Sequence, residues 1–116
     1  MSDIIDLADV LERVQDDKEL LLELLDIFQQ DFVGKRDALT EALKQKDVQK
    51  VKELAHSIKG ASGNISAKPI HALCLKMEQI AREGDITKIE PLLGELDQQF
   101  ESLKVNIAKL KKDFGK

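Results

Sequence analysis

Apolar residues recur at spacings of three and four along almost the whole chain. In the stretch from Lys18 to Gln45, Leu21, Leu24, Leu25, Phe28 and Phe32 form a wide stripe that Leu39, Ala42 and Leu43 continue. That period predicts one long amphipathic helix. Gly34 interrupts it at a cost of about 1 kcal/mol relative to alanine; because the pattern resumes, we expect a bend or close packing there. A short leading helix is predicted over about Ile4 to Val14, from Ile4, Leu7, Ala8 and Leu11, with Asp16 and Asp17 as the start signal of the long one. A third helix follows over about Val48 to Asn64, with Asp47 as its N-cap. A fourth follows Ser66, which is a candidate N-cap, and tolerates Pro69 in its first turn. It carries Ile70, Leu73, Met77 and Ile80 and stops at Gly84. The last helix is predicted to start near Thr87, with Pro91 early in it. It carries Ile89, Leu92, Leu93, Leu96, Phe100, Leu103, Ile107 and Leu110, and Lys111 and Lys112 close it with the sign that suits a C-terminus.

The loops between the long helices are short, which makes sequential helices antiparallel neighbours. No run alternates like a strand, and no linker divides the chain. The expected fold is therefore all-α: an antiparallel up-down four-helix bundle with a short extra N-terminal helix, residues 1–116 forming one domain. At 116 residues, such a domain buries roughly two thirds of the surface of its unfolded chain. One core fits and a deep cleft does not, so function is expected on the surface.

Charge narrows the partners. The net charge of −4 comes from mixed signs, and Trp and Tyr are absent. Nucleic acid, which calls for a basic face and stacking aromatics, is disfavoured, and so is an anionic membrane surface. No apolar run approaches the roughly 20 residues of a membrane-spanning helix, and no signal peptide opens the chain. The single cysteine, Cys74, has no internal partner and reads as a core thiol of a cytoplasmic protein.

The third helix carries the chemistry. Val48, Val51, Leu54, Ala55, Ile58, Ser62 and Ile65 share one arc, and His56 points about 140° away from its centre, outward. Lys52 lies one turn before His56 and Lys59 three residues after it, both within reach on a helix surface. Gly60 and Gly63 follow on the same side. Each glycine costs helix stability, and only glycine lets another backbone come so near. The segment thus gives up stability to clear space around an outward histidine, and sets positive charge beside it. A neutral imidazole has a lone pair free to attack phosphorus. Phosphoryl transfer asks mostly for positioning and charge stabilisation, which Lys59 supplies.

The stretch Ala55-His56-Ser57-Ile58-Lys59-Gly60-Ala61-Ser62-Gly63-Asn64-Ile65-Ser66-Ala67 resembles the signature of histidine-containing phosphotransfer (HPt) domains. That signature runs Ala-His, any residue, an aliphatic, Lys-Gly, any residue, a small residue, two variable positions, an aliphatic, Gly-Ala. Phe28 to Asp31, Cys74 to Glu78 and Arg82 to Asp85 also resemble the family layout, so the likeness covers roughly Asp6 to Leu110. It implies that His56 is the phosphorylated residue, exchanging a phosphoryl group with the aspartate of a receiver domain. It implies that Lys59 lies beside the phosphate and that Gly60 makes room for the receiver. By the same likeness, Glu78 hydrogen-bonds the other ring nitrogen of His56 and so fixes its tautomer. Mg²⁺ is then held by the receiver and no cofactor by this chain. No Gly-x-x-x-x-Gly-Lys loop is present, so self-phosphorylation from ATP is not expected. Lys52, Gly63 and Leu75, an outward leucine of the fourth helix, are candidates for the receiver-docking patch.

One position departs from the family pattern: Ser66 stands where glycine is usual. Serine there carries a small strain if the turn needs a positive φ, or serves as the N-cap. His71 is read as a surface residue, and no metal-ligand spacing includes it. The expected protein is a monomeric phosphoryl carrier, and Met1 with short tails suggests a stand-alone chain rather than a segment of a hybrid kinase. The alternative is a helical adaptor that binds receivers or other helices without phosphotransfer; a buried His56 would favour it.

Overall fold

The computed structural model describes residues 4–115. Five α-helices follow in order: α1 (Leu7–Arg13), α2 (Lys18–Lys44), α3 (Val48–Asn64), α4 (Lys68–Glu83) and α5 (Leu93–Gly115). The bundle measures 45 × 24 × 21 Å. α3 and α4 pack most extensively, with α2 and α5 completing the core. Leu21, Leu25, Leu39, Ile58, Ile70, Met77, Leu96, Leu103 and Ile107 are fully buried, each contributing about 1.5–3 kcal/mol by burial. Phe32 stacks on Phe100, ring centroids 4.1 Å apart, and joins α2 to α5. No helix among the described residues is long and apolar enough to cross a membrane.

Local chemistry sets most helix ends. Asp17 caps α2 by accepting from the Leu20 N–H, and Asp47 caps α3 by accepting from the Lys50 N–H. Each side-chain oxygen satisfies a donor that the helix itself leaves orphaned. Gly84 ends α4 at φ +96°, a left-handed conformation that costs glycine nothing.

Four expectations need correction. The chain before α1 is not helical: Asp6 is the N-cap, and Ile5 forms an isolated antiparallel bridge to Ala67. The Ile5 N–H also donates to Asn106 Oδ1 at 2.9 Å, which clasps the segment to α5. Residues between Gly84 and α5 do not begin the last helix. They form two short 3₁₀ turns, Ile86–Lys88 and Glu90–Leu92. Residues three apart eclipse in such a turn, so Ile86 and Ile89 both reach the core. Gly34 is exposed, with open space where a Cβ would stand, so no close packing explains it. Ser66 is not the cap of α4. Ala67 holds that position without a side-chain bond, while Ser66 sits at φ +57°. Its hydroxyl donates to Asp9 Oδ2 at 2.6 Å.

Candidate functional site

Two stripes of side chains face each other across the antiparallel seam of α3 and α4. On α3 the stripe is Lys52, His56, Lys59 and Gly63; on α4 it is His71, Leu75, Glu78 and Arg82. Both follow spacings of four, three and four, which keep residues on one helix face. The core stripes of the same two helices run beside them, so burial of Val51, Ala55, Ile58, Ile70, Cys74 and Met77 fixes where these edges meet.

His56 projects from this seam with 66% of its side chain exposed. The burial that would have favoured the adaptor reading is not found. Its Nδ1 lies 2.9 Å from Glu78 Oε2. Glu78 itself is only 5% exposed and is approached by three groups. Lys59 Nζ lies 2.8 Å from Oε1, and Arg82 Nη2 lies 3.4 Å from Oε2. The lysine contact is a close ion pair rather than a directed hydrogen bond, since Oε1 has no aligned donor. Lys59 beside it, then the bond from His56, holds the Glu78 carboxyl below the ordinary carboxylate range, against the opposing pull of burial. Glu78 is therefore ionised at neutral pH and can only accept. In the neutral ring of His56, Nδ1 must then carry the proton, which leaves the lone pair on Nε2.

Around this centre the candidates separate. Gly60 is exposed, and nothing lies within 4 Å of a Cβ built on it. Leu75 is 39% exposed and stands three residues before Glu78. Lys52 is half-buried, one turn before His56. Gly63 is different. A Cβ there would meet His71 Nδ1 at 3.1 Å, so its lack of a side chain serves a neighbour within the molecule. His71, expected at the surface, is half-buried, with Nδ1 2.9 Å from the carbonyl oxygen of Lys59. Arg82 and His71 escaped the sequence reading as members of the site. The signal was present in their spacing from Glu78, four residues on and seven residues back. Cys74 lies buried behind the seam, its thiol pushed up to about 12 by burial, which makes it an inert core group.

The Hpt domain family model matches residues 23–106. Histidine-containing phosphotransfer protein B from Pseudomonas aeruginosa PAO1 superposes with a TM-score of 0.88 at 25% identity, over 98% of this chain and 99% of that one. The HPT domain of a sensor hybrid histidine kinase from Shewanella gives a TM-score of 0.82 at 18% identity, over 97% of each chain. No curated protein sequence matches. The chain belongs to the Hpt domain family. It is a phosphocarrier: its function is histidine phosphotransfer in phosphorelay signalling, where domains of this family interact with receiver domains.

Proposed function

We propose that His56 carries the phosphoryl group, and that it exchanges it with the aspartate of a receiver domain docked over the α3–α4 seam. The observation that carries this reading is the pairing of an exposed His56 with a buried, ionised Glu78 on its inner nitrogen. The Nε2 lone pair attacks the phosphorus of the receiver's aspartyl phosphate. A P–N bond forms, the P–O bond to the aspartate carbonyl carbon's oxygen breaks, and the electron pair leaves with the carboxylate. The ring becomes cationic with its proton still on Nδ1, and Glu78 lies against that charge. Transfer to an acceptor aspartate runs the same step backward.

Lys59 neutralises the phosphoryl oxygens in this scheme. Its ammonium rests on Glu78 beforehand, within a side-chain swing of the ring. Gly60 leaves the receiver room to approach, and Leu75 and Lys52 border the docking patch. Gly63 is withdrawn from that patch, since His71 covers it. Magnesium belongs on the receiver: Glu78, the carboxylate against His56, is already paired with the cations Lys59 and Arg82, which would repel a divalent ion. The phosphoryl group arrives ready-made, so no kinase activity of its own enters the scheme. The chain works as a monomer in the cytoplasm, where four helices already close round one core and a lone thiol stays reduced.

The test is incubation with a panel of ³²P-labelled receiver domains, wild type against His56→Gln. Label should appear on the wild type as an acid-labile, base-stable adduct and be missing from a folded His56→Gln. Equal label on both would move the site elsewhere.

A further inference from the structure

Lys59 is held at both of its ends by α4. Glu78 takes the ammonium, and His71, two helical turns earlier on the same face, takes the backbone carbonyl. A carbonyl oxygen only accepts, so Nδ1 of His71 is the donor. Ser62 Oγ donates to the same oxygen at 3.0 Å. The peptide plane that joins Lys59 to Gly60 is thus gripped by two side chains beyond the helix's own ladder.

The need for such a grip follows from the glycines. Gly60 and Gly63 lie within four residues, and each weakens a helix interior. Gly60 faces open space. Gly63 lies under the His71 ring, where any Cβ would meet Nδ1 at 3.1 Å. The second glycine therefore admits the group that offsets the first. Building on the phosphotransfer reading, we infer that His71 is a positioning residue for the His56 site: it anchors the Lys59–Gly60 peptide, so that the Lys59 ammonium can leave Glu78 and follow the phosphate while α3 keeps its register. His71 touches neither His56 nor the transferred group in this role.

Two substitutions separate anchoring from mere packing. His71→Leu keeps bulk and removes the donor. His71→Asn places an amide N–H close to where Nδ1 stood, in a smaller side chain. Amide hydrogen exchange of Gly60 to Asn64, followed by NMR on the free protein, reads the anchor directly. Phosphoryl transfer from a receiver that labels the wild type reads its use, with the maximal rate and half-saturating concentration fitted separately. His71→Leu should speed exchange about fivefold, the factor one ordinary hydrogen bond supplies. It should lower the maximal transfer rate severalfold and leave half-saturation unchanged. His71→Asn should recover most of both. Equal behaviour of the two variants would overturn the inference, because packing alone would then explain the effect. So would faster exchange in His71→Leu with an unchanged maximal rate. A wild type that accepts no label would bring down the phosphotransfer reading and this role with it, while the exchange difference would still stand in the free protein.

Discussion

Glu78 Oε2 lies 2.9 Å from Nδ1 of His56, on a carboxylate almost wholly withdrawn from water. Since its folded pKa is held below the ordinary 4.5, Glu78 contributes stability that is fully present above the unfolded value. That contribution is lost as pH falls through the folded value. Glu78→Gln should therefore be less stable than the wild type by about 1.5 kcal/mol at pH 7, the lower end of what a hydrogen bond to a charged group contributes. The two should converge as pH drops below 4.5. Asp6 and Asp9 are also held low, by Lys68 and by Ser66 respectively, but they act in both proteins and cancel in the difference. Urea unfolding at intervals from pH 7 to pH 3 checks this, and parallel curves would refute it.

Gly60 should give opposite signs in two assays. With nothing near its missing Cβ, Gly60→Ala should raise stability by about 0.5–1 kcal/mol through helix propensity. Gly60→Gln should fold at least as well as the wild type, yet slow transfer from a receiver by about tenfold or more, because its side chain projects into the space that a receiver docked as proposed would occupy. Thermal unfolding together with a transfer assay settles both. An unchanged transfer rate in Gly60→Gln would remove the reason given for this glycine.

Ser66 sets backbone strain against a hydrogen bond. A non-glycine residue at φ +57° costs on the order of 1 kcal/mol, and the hydroxyl's bond to Asp9 returns a similar amount. Ser66→Gly removes both and should stay within about 1 kcal/mol of the wild type. Ser66→Ala keeps the strain, loses the bond, and should fall about 1–2 kcal/mol lower. Chemical denaturation of the three proteins measures the gap. If alanine proves as stable as glycine here, the strain is absent.

What the sequence made legible was local. Asp17, Asp47 and Gly84 act on their own helix ends, so their effect could be read from neighbours a few positions away. His56, Lys59 and Glu78 were legible through spacing and family likeness, and the structure brings the three together. The misses came from groups whose partners lie on another element. Ser66 reads equally as a strained positive-φ residue or as a cap, and the fold decides for the first, with Asp9 of α1, 57 residues away, taking its hydroxyl. Gly63 reads as clearance for a partner until His71 is found lying on it. The start of α5 is not legible because Ile89 and Leu92, three apart, fit a helical stripe and successive 3₁₀ turns equally well, and only the backbone bonds from Ile89 to Ile86 and from Leu92 to Ile89 decide.

Glu78 lies just 22 residues from His56, so the proposed site is built within one helical hairpin. α2 and α5 supply no side chain to that pairing and serve it through packing, Phe32 on Phe100 joining the two. The bundle itself survives wide divergence: at 18% identity, the Shewanella domain still keeps it.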